Sequence, residues 1–371
     1  MSEFPPTLHL LASHNPYPEC VSLQVETLRS KSVSEQLTVL LQIHFNEQEK
    51  SLLNGHLKFA LKGGLLSLEI ENGEVVSFES YLEDWGKLQI QSPVGASWQL
   101  TAKPGTSILK TGNVSLPLAI IQPKSDPLSL KVILKVTPQD LCITQAEGLW
   151  RHDIHPNQHG ILERVLARFL HKTRLSSHLC YLALTTATSE HSATAEQHFT
   201  EEIDSHELAQ LHQLLEHLYE LNSHDFRKLS ELANLNPLTD LAGGNFVATE
   251  LSGVELSGAN LDRSNFRGAN LTDADLSEAV LNYGKFNGAD LSGAYLGNAQ
   301  LVQADFHRAS LAVANLIGAN LTEANLVEAN LIEANLSGAK VTGAKFGNNP
   351  GITPEIQQDL RERGAIFVDV K

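Results

Sequence analysis

The chain has 371 residues, of which 42% are apolar and 19% are charged, and its formal net charge is −16. This length is enough for two or three globular domains. Acidic residues are spread along the whole chain, which disfavours binding to nucleic acid or anionic lipid, because both need clustered Lys and Arg. No stretch of about eighteen apolar residues occurs, so we expect no membrane span. The first twenty residues do not resemble a secretory signal, so we expect no Sec export.

The three cysteines, Cys20, Cys142 and Cys180, are far apart and form no CxxC pair. An odd number of scattered cysteines cannot complete a disulfide framework, so a reducing compartment is the simplest interpretation. We therefore predict a cytoplasmic protein.

Residues 1–149 read as β structure, because short runs rich in Val, Ile and Leu alternate with turn signals. The Asn72-Gly73 pair predicts a type I′ hairpin, and Lys62-Gly63-Gly64 and Lys103-Pro104-Gly105 predict further turns. Strands without intervening helices favour an antiparallel sandwich or a barrel-like domain. The predicted strands are Val21–Thr27, Leu37–Phe45, Leu65–Ile70, Val75–Phe78, Trp98–Ala102, Leu116–Ile121 and Leu128–Val136.

From Pro156 the apolar residues follow helical spacing, and we expect one helix there that closes the β domain. A short strand is expected at His178–Leu184, and the predicted β domain covers residues 1–184. A Ser/Thr/Ala-rich linker is expected over 185–198. Residues 199–240 form a helical connector and N-terminal cap with two helices. The first opens on an Asp204/Glu207 capping box and buries a leucine face from Leu208 to Leu218, and the second covers Asp225–Leu235.

A repeat occupies residues 241–349. Every fifth residue from Phe246 to Phe346 is apolar, and a small residue, usually Ala, stands two positions before it, in twenty-one consecutive units. A period of five fits neither a helix nor a flat strand, since both would scatter these side chains over all faces. A coil that turns a corner every five residues keeps them inside, so the repeat predicts a solenoid.

The A(N/D)LXX unit resembles the pentapeptide repeat family. The resemblance implies a right-handed quadrilateral β-helix with four units, hence twenty residues, per coil and about five coils in all. The sequence supports that coil length independently, because a twenty-residue period places all five central phenylalanines in one interior column, broken only by Leu326. These core residues are Phe246, Phe266, Phe286, Phe306 and Phe346. The segment NPLTDLAGGNF, at 236–246, is similar to that of cyanobacterial members and suggests such a source.

The ends of a rod expose unpaired backbone, and the sequence supplies caps for both. The Asp225–Leu235 helix precedes the first coil, and a C-terminal cap over 350–371, with a helix at Pro354–Arg363 and a strand at Ala365–Val370, follows the last. The whole chain is thus predicted to be mainly β, with an N-terminal β domain, a helical connector and a capped β-helix.

The interior of the rod is uniform, so specificity must come from outward positions. Apolar residues occupy usually polar positions in the last coils and form a candidate docking patch of Ala312, Val313, Ile317 and Ile332. The face that carries the phenylalanine column has a mildly basic strip that includes Arg267, Lys285, His307, Arg308 and Lys345. Both surfaces are candidate contacts for another protein. Scattered surface residues would give the same pattern, and so would packing of the N-terminal domain against the apolar positions.

Three histidines, His152, His155 and His159, could supply nitrogen ligands to zinc. Their spacing lies at a Pro-containing turn without a cysteine pair, which favours ordinary loop histidines, so we predict no metal site there. The histidines His206, His212 and His217 share no helical face. No phosphate-binding loop is present, and nothing in the sequence predicts a cofactor or an enzyme.

The sequence therefore predicts a non-enzymatic interaction or scaffold protein, with regulation as one role open to it, that uses the rod as a rigid binding surface for another protein. The first alternative is a ligand-binding or enzymatic N-terminal domain, with a pocket near Trp98, Trp150 or residues 152–159, and a rod used for assembly. A second alternative comes from the resemblance, since some family members mimic DNA and bind type II topoisomerases. The charge of residues 241–349, with 11 acidic against 6 basic residues, and the basic strip disfavour that role.

Overall fold

The computed structural model describes residues 8–15, 20–29, 36–78, 88–90, 96–102, 111–150, 153–175, 180–186, 203–221 and 223–369. The chain forms two compact units, which are described separately. The β unit comprises residues 1–147 with 169–205, and the repeat unit comprises 148–168 with 206–371.

The described strands of the β unit are antiparallel and form three sheets. The sheet orders are β1-β13-β11-β6-β9-β8, β2-β3-β10-β7 and β12-β5-β4. The strands are β1 (His9–His14), β2 (Val21–Arg29), β3 (Leu37–Asn46), β4 (Gln48–Leu52), β5 (Gly55–Leu61), β6 (Gly63–Glu71), β7 (Gly73–Phe78), β8 (Leu88–Ile90), β9 (Ser97–Ala102), β10 (Thr111–Pro123), β11 (Ser129–Lys135), β12 (Leu141–Glu147) and β13 (Cys180–Thr185).

Each of the seven predicted strands overlaps an observed one, and the pairing is antiparallel as predicted. Alternation explains this success: in β3 the buried side chains are every second residue from Leu37 to Phe45. Five strands were not predicted, namely β1, β4, β5, β8 and β12. Strand β4, QEKSL, shows why, because only its two end residues are buried and no apolar run marks it. A sandwich or barrel arrangement of the three sheets stays a prediction.

The predicted hairpin at Asn72-Gly73 is wrong. Strands β6 and β7, on either side of Asn72, belong to different sheets. Asn72 does adopt a positive φ of 60°, but Gly73 does not, and a type I′ turn requires both. Asn72 instead anchors a neighbouring segment, since its amide donates to Pro127 O at 2.8 Å and its carbonyl accepts from Lys124 N at 2.9 Å. The chain therefore crosses from one sheet to another at Asn72.

The two-residue hairpin loop lies elsewhere, at residues 53–54 between β4 and β5, where Leu53 adopts a φ of 53°. Lys62 alone joins β5 to β6, so that turn is shorter than predicted. The turn predicted at residues 103–105 lies outside the described residues.

All three cysteines carry free thiols, and Cys20 and Cys180 are buried. Burial raises the pKa of the Cys20 thiol to about 12. Burial also raises the pKa of Cys180, and the neighbouring Cys20 adds to that rise. Thiols held protonated in this way are poor nucleophiles, so these two cysteines act as core residues.

The first helix, α1 (Pro156–Leu170), forms where its apolar spacing predicts, and a π-helical turn at His171–Leu175 follows it. The boundary between the two units falls within α1, after Arg168. Most of α1 is thus part of the repeat unit, whereas the predicted domain at 1–184 assigned the whole helix to the β domain. The physical reason is close packing: a Cβ on Gly160 would lie 2.9 Å from the Phe246 ring, and Arg164 donates to Asp240 O at 3.1 Å.

Two further helices precede the first coil of the repeat unit. Helix α2 (Ser205–Glu220) buries Leu211, Leu215 and Leu218 of its predicted leucine face. The capping box at Asp204 and Glu207 stays a prediction. Helix α3 (Phe226–Leu232) begins at Asp225, whose carboxylate accepts from two backbone N–H groups as an N-cap. The predicted linker at 185–198 lies almost wholly outside the described residues.

The repeat forms a coil whose register repeats every twenty residues. Isolated parallel bridges join the residue before each central side chain to the residue twenty positions later, from Asn245 with Asn265 to Asn325 with Lys345. Within each unit, the N–H three positions after the central residue donates back to the central carbonyl, as Ala259 does to Leu256 at 3.0 Å. The third residue of these turns has a positive φ, as a type II turn requires.

The phenylalanines stack along the coil axis as predicted. Ring centroids lie 5.3 Å apart for Phe246 and Phe266 and 5.2 Å for Phe266 and Phe286, and 4.7 Å separates Phe286 from Phe306. Caps extend the column at both ends. Phe226 of α3 meets Phe246 edge-on at 5.6 Å, and Phe367 stacks on Phe346 at 5.4 Å.

The C-terminal cap consists of β14 (Lys345–Phe346), α4 (Pro354–Glu362) and β15 (Ile366–Phe367), which pairs in parallel with β14. The predicted strand is thus shorter than expected, and residue 370 lies outside the described residues. Side chains satisfy carbonyls at this end of the rod. Asn349 donates to Leu326 O and Ala329 O at 2.6 and 2.9 Å, and Arg363 donates to Leu336 O at 3.0 Å and to Ala339 O.

Candidate interaction surface

The five-residue unit fixes which side chains of the rod can meet a partner. The central Leu or Phe and the small residue two before it are buried in nearly every unit. The other three positions point outward, and the last of them occupies the positive-φ corner. Variation at these three positions is therefore the part of the repeat that can carry specificity.

The predicted docking patch is exposed. The exposed fraction is 59% for Val313, 45% for Ile317 and 46% for Ile332, and Ala312 is half-buried. The coil register brings Val313 beside Ile332, because the Val313 N–H donates to Ile332 O at 2.8 Å. Ala312 occupies the same unit position as Ile332 one coil earlier, and Ile317 lies on the next unit.

Tyr295 belongs with this patch, and the sequence reasoning missed it. It is 53% exposed and forms a parallel bridge with Asn315, two residues before Ile317. A signal was present, because Tyr295 stands at the position where most units carry Asn or Asp. We use the name apolar patch for Tyr295, Ala312, Val313, Ile317 and Ile332.

Val313 combines exposure with backbone strain. Its φ is 59°, a conformation in which a β-branched side chain is a genuine outlier. At the same corner one coil earlier stands Gly293, which adopts φ 70°. A strained β-branched residue that is mostly exposed, at a corner where glycine stands one coil earlier, is a candidate for a functional position.

The predicted basic strip is partly neutralised. Arg308 forms an ion pair with Glu328, one coil later. The hydrogen bond between them raises the pKa of Arg308 and lowers the pKa of the Glu328 carboxyl. His307 Nδ1 lies 3.0 Å from Val327 O. Arg267 and Lys345 are exposed, so the strip keeps positive charge at these two positions, and Lys285 is half-buried.

Of the predicted loop histidines, the structure describes His155 and His159, and these two have different partners. His155 stacks on His224 with ring centroids 4.1 Å apart, whereas His159 Nδ1 lies 3.2 Å from the Glu163 carboxylate. Burial and the neighbouring His224 lower the pKa of His155. His152 lies outside the described residues. Among the residues that the structure describes, no group of three or more His, Cys, Asp or Glu is placed to hold a metal ion.

Two further observations concern the predicted pocket and the predicted absence of a membrane span. Trp98, which the first alternative placed beside a pocket, is buried in β9 opposite Leu66 of β6. In the described part of the chain, no helix is long and apolar enough to cross a bilayer.

A parallel β coil with a five-residue unit, an apolar ladder inside and a cap at each end defines the class of protein, a pentapeptide solenoid. Residues 245–282, 285–312 and 309–348 match the model for pentapeptide repeats, in eight copies. A pentapeptide repeat protein, Rfr23 from the cyanobacterium Cyanothece 51142, is 30% identical over 29% of this chain and 90% of its own, with a TM-score of 0.26. The chain belongs to the pentapeptide repeat family.

Two other solved structures are similar to part of the chain. HetL, a pentapeptide repeat protein involved in heterocyst differentiation regulation in Nostoc sp. PCC 7120, is 30% identical over 28% of this chain and 56% of its own, with a TM-score of 0.17. A pentapeptide repeat protein from the Arabidopsis thaliana thylakoid lumen is 28% identical over 34% of this chain and 79% of its own, with a TM-score of 0.12. No curated protein sequence matches the chain.

Proposed function

We propose that the protein is a non-enzymatic interaction or scaffold protein, with a regulatory role, in which the rod presents a rigid binding surface to another protein. The observation that carries this proposal is the apolar patch, whose four largest side chains are each between 45% and 59% exposed. An exposed apolar cluster on a charged surface is the usual mark of a protein contact.

The construction of the rod supports the same proposal. Every coil is hydrogen-bonded to the next by its backbone, so the outward side chains stand on a fixed frame. Binding to a fixed frame costs little ordering of the backbone, which leaves more of the contact energy as affinity. HetL, a protein similar to part of this chain, is involved in heterocyst differentiation regulation, which is consistent with the proposed role.

Paired substitutions in the full-length chain test the proposal. Ile317→Glu/Ile332→Glu adds two charges to the apolar patch, and Ser277→Glu/Thr272→Glu adds them at the same unit positions in earlier coils. Affinity capture from source-cell lysate should retain a protein on the wild type and on the Ser/Thr control, and lose it on the Ile pair. Identical captured proteins on all three baits would show that the apolar patch is not the binding surface. Circular dichroism and melting midpoints check that each variant is folded.

We also propose a cytoplasmic location, a right-handed four-sided rod of about five coils, and a sandwich-like β unit. The free thiols of Cys20, Cys142 and Cys180 support a reducing compartment. The similar Arabidopsis protein is from the thylakoid lumen, so fractionation of source cells is the decisive measurement. Recovery of the protein outside the cytoplasm would overturn this part of the proposal.

A further inference from the structure

A cleft of about 660 Å³ opens at the N-terminal end of the rod. Its walls are residues 224–227 at the start of α3, residues 236–238, and residues 250–256 of the first coil. The apolar patch lies in later coils and shares no residue with it. The cleft is therefore a second surface, independent of the function proposed above.

We call the residue before each central side chain a rung of the coil, because its backbone pairs with the neighbouring coils. The floor of the cleft is a rung whose backbone groups are unpaired in the described part of the chain. In later coils the residue before each central side chain uses both its backbone groups toward the preceding coil. Asn270 shows the pattern: its N–H donates to Thr249 O at 2.9 Å, and its carbonyl accepts from Leu251 N at 2.8 Å. The equivalent residues of the first coil have no preceding coil, so each rung needs a substitute.

The other three rungs are occupied to different degrees: Glu250 through both of its backbone groups, Asn260 through its N–H, and Asn245 by the packing of α1 over it. The Asn157 side chain accepts from Glu250 N and donates to Glu250 O, both at 2.9 Å, and so replaces a missing strand. Asn260 N–H donates to Leu238 O at 2.8 Å. Over the rung at Asn245 lies α1, because a Cβ on Gly160 would sit 3.1 Å from Asn245 O.

The fourth rung, at Glu255, is open. Glu255 lines the cleft and its side chain is 84% exposed. Within the described residues, its backbone N–H and carbonyl make no hydrogen bond. A donor and an acceptor side by side on an uncovered β edge are a template for one more strand.

The side chains around this rung indicate what such a strand carries. Asp225, Glu250 and Glu255 line the cleft with three carboxylates. Two cations lie beside them, because Lys228 Nζ is 3.8 Å from the Asp225 carboxylate and Arg227 lines the cleft, so the surplus of negative charge lies at Glu250 and Glu255. The Arg227 guanidinium is already shared, at 3.2 Å from Glu231 and 3.9 Å from Glu255. Exposed Leu238 and half-buried Val254 give the cleft an apolar side. An occupant complementary to both is basic on one face and apolar on the other.

We propose that this cleft binds an extended basic segment of a partner protein, which adds a strand to the rung at Glu255. Because side chains alternate along a strand, the segment alternates Lys or Arg with apolar residues. Backbone hydrogen bonds to Glu255 supply affinity, and the carboxylates and Leu238 supply selectivity.

A fluorescent synthetic peptide that alternates lysine and valine is the probe, titrated against the full-length chain by anisotropy. Glu255→Pro removes the open N–H together with the Glu255 carboxylate, without breaking a backbone hydrogen bond of the rod, and should weaken binding at least about tenfold. Glu255→Lys should weaken binding by repulsion, whereas the control Glu278→Lys, at an exposed corner outside the cleft, should leave it unchanged. The same peptide with N-methylated backbone should not bind, and a glutamate–valine peptide should bind far more weakly.

Several outcomes would overturn the proposal. Absence of binding by the lysine–valine peptide to the wild type would do so directly. Equal binding of the N-methylated peptide would show general charge attraction in place of strand addition. Equal losses for Glu255→Lys and Glu278→Lys would place the attraction outside the cleft. If Glu255→Pro is unfolded by circular dichroism, Glu255→Lys and the N-methylated peptide still decide the question.

Discussion

At the residue scale, the corner position of the repeat decides which side chains the rod tolerates. Thirteen non-glycine residues of the repeat adopt a positive φ there, and most are polar or charged residues such as Asn298 and Glu333. Asn and Asp tolerate this conformation better than other residues, and a β-branched residue tolerates it least. Val313 is therefore the corner with the largest backbone penalty.

Val313→Gly should stabilise the protein. Relief of the strained valine should raise the free energy of unfolding by about 1–2 kcal/mol. The greater freedom of glycine in the unfolded chain lowers it in part, so we expect a net increase of about 1 kcal/mol. Urea denaturation of the full chain measures the change. The neighbouring Ala312→Gly is the matched control, because Ala312 does not have a positive φ and its replacement should cost about 0.5–1 kcal/mol. A destabilised Val313→Gly would mean that the valine side chain packs against the rod.

At the element scale, the coil is held by its interior column as well as by its backbone. The central side chains are buried in nearly every unit, and Phe286 is fully buried between the stacked rings of Phe266 and Phe306. Stacked rings at these distances add to the energy of burial. The rod therefore depends on volume at the central position more than on any one side chain.

Phe286→Ala should cost about 3–5 kcal/mol, because it removes a ring from a close-packed column. Phe286→Leu should cost less than about 1.5 kcal/mol, since Leu326 already occupies the same position in the column. Denaturant titration followed by circular dichroism compares the two variants. Similar costs for Ala and Leu would contradict the view that volume, filled by either side chain, stabilises the column.

At the scale of the whole molecule, charge separates this rod from a DNA mimic. Eleven acidic and six basic residues give the repeat a net charge of only −5. Acidic columns are also interrupted: Tyr295 follows Glu255 and Asp275 in one of them, and Arg308 neutralises Glu328 on another face. A surface without continuous negative charge is a poor substitute for a phosphate backbone.

We therefore expect the full chain not to inhibit DNA supercoiling by a type II topoisomerase. A gel-based supercoiling assay over a range of protein concentrations measures this directly. A known inhibitor of the enzyme serves as the positive control. Dose-dependent inhibition would revive the DNA-mimic alternative and replace the scaffold proposal.

Most of the rod could be predicted from the sequence because its pattern is local and repeated. The period of five identified the buried positions, and the recurrence of phenylalanine every twenty residues agrees with the observed bridges between residues twenty apart. The exposed Val313, Ile317 and Ile332 were also predictable, since each departs from the polar pattern of the unit. Tyr295 could have been found in the same way, because it stands before the central residue of its unit, where most units carry Asn or Asp.

The sequence by itself therefore determined the interior of the solenoid, the antiparallel character of the β unit and the apolar patch, because each follows from a period along the chain. Only the tertiary structure decided that most of α1 belongs with the repeat unit, that Asn72 joins two sheets, and that Asn157 covers the rung at Glu250 while Glu255 stays open. These features depend on partners as far as 93 residues apart in the chain, and no local pattern encodes such a pairing.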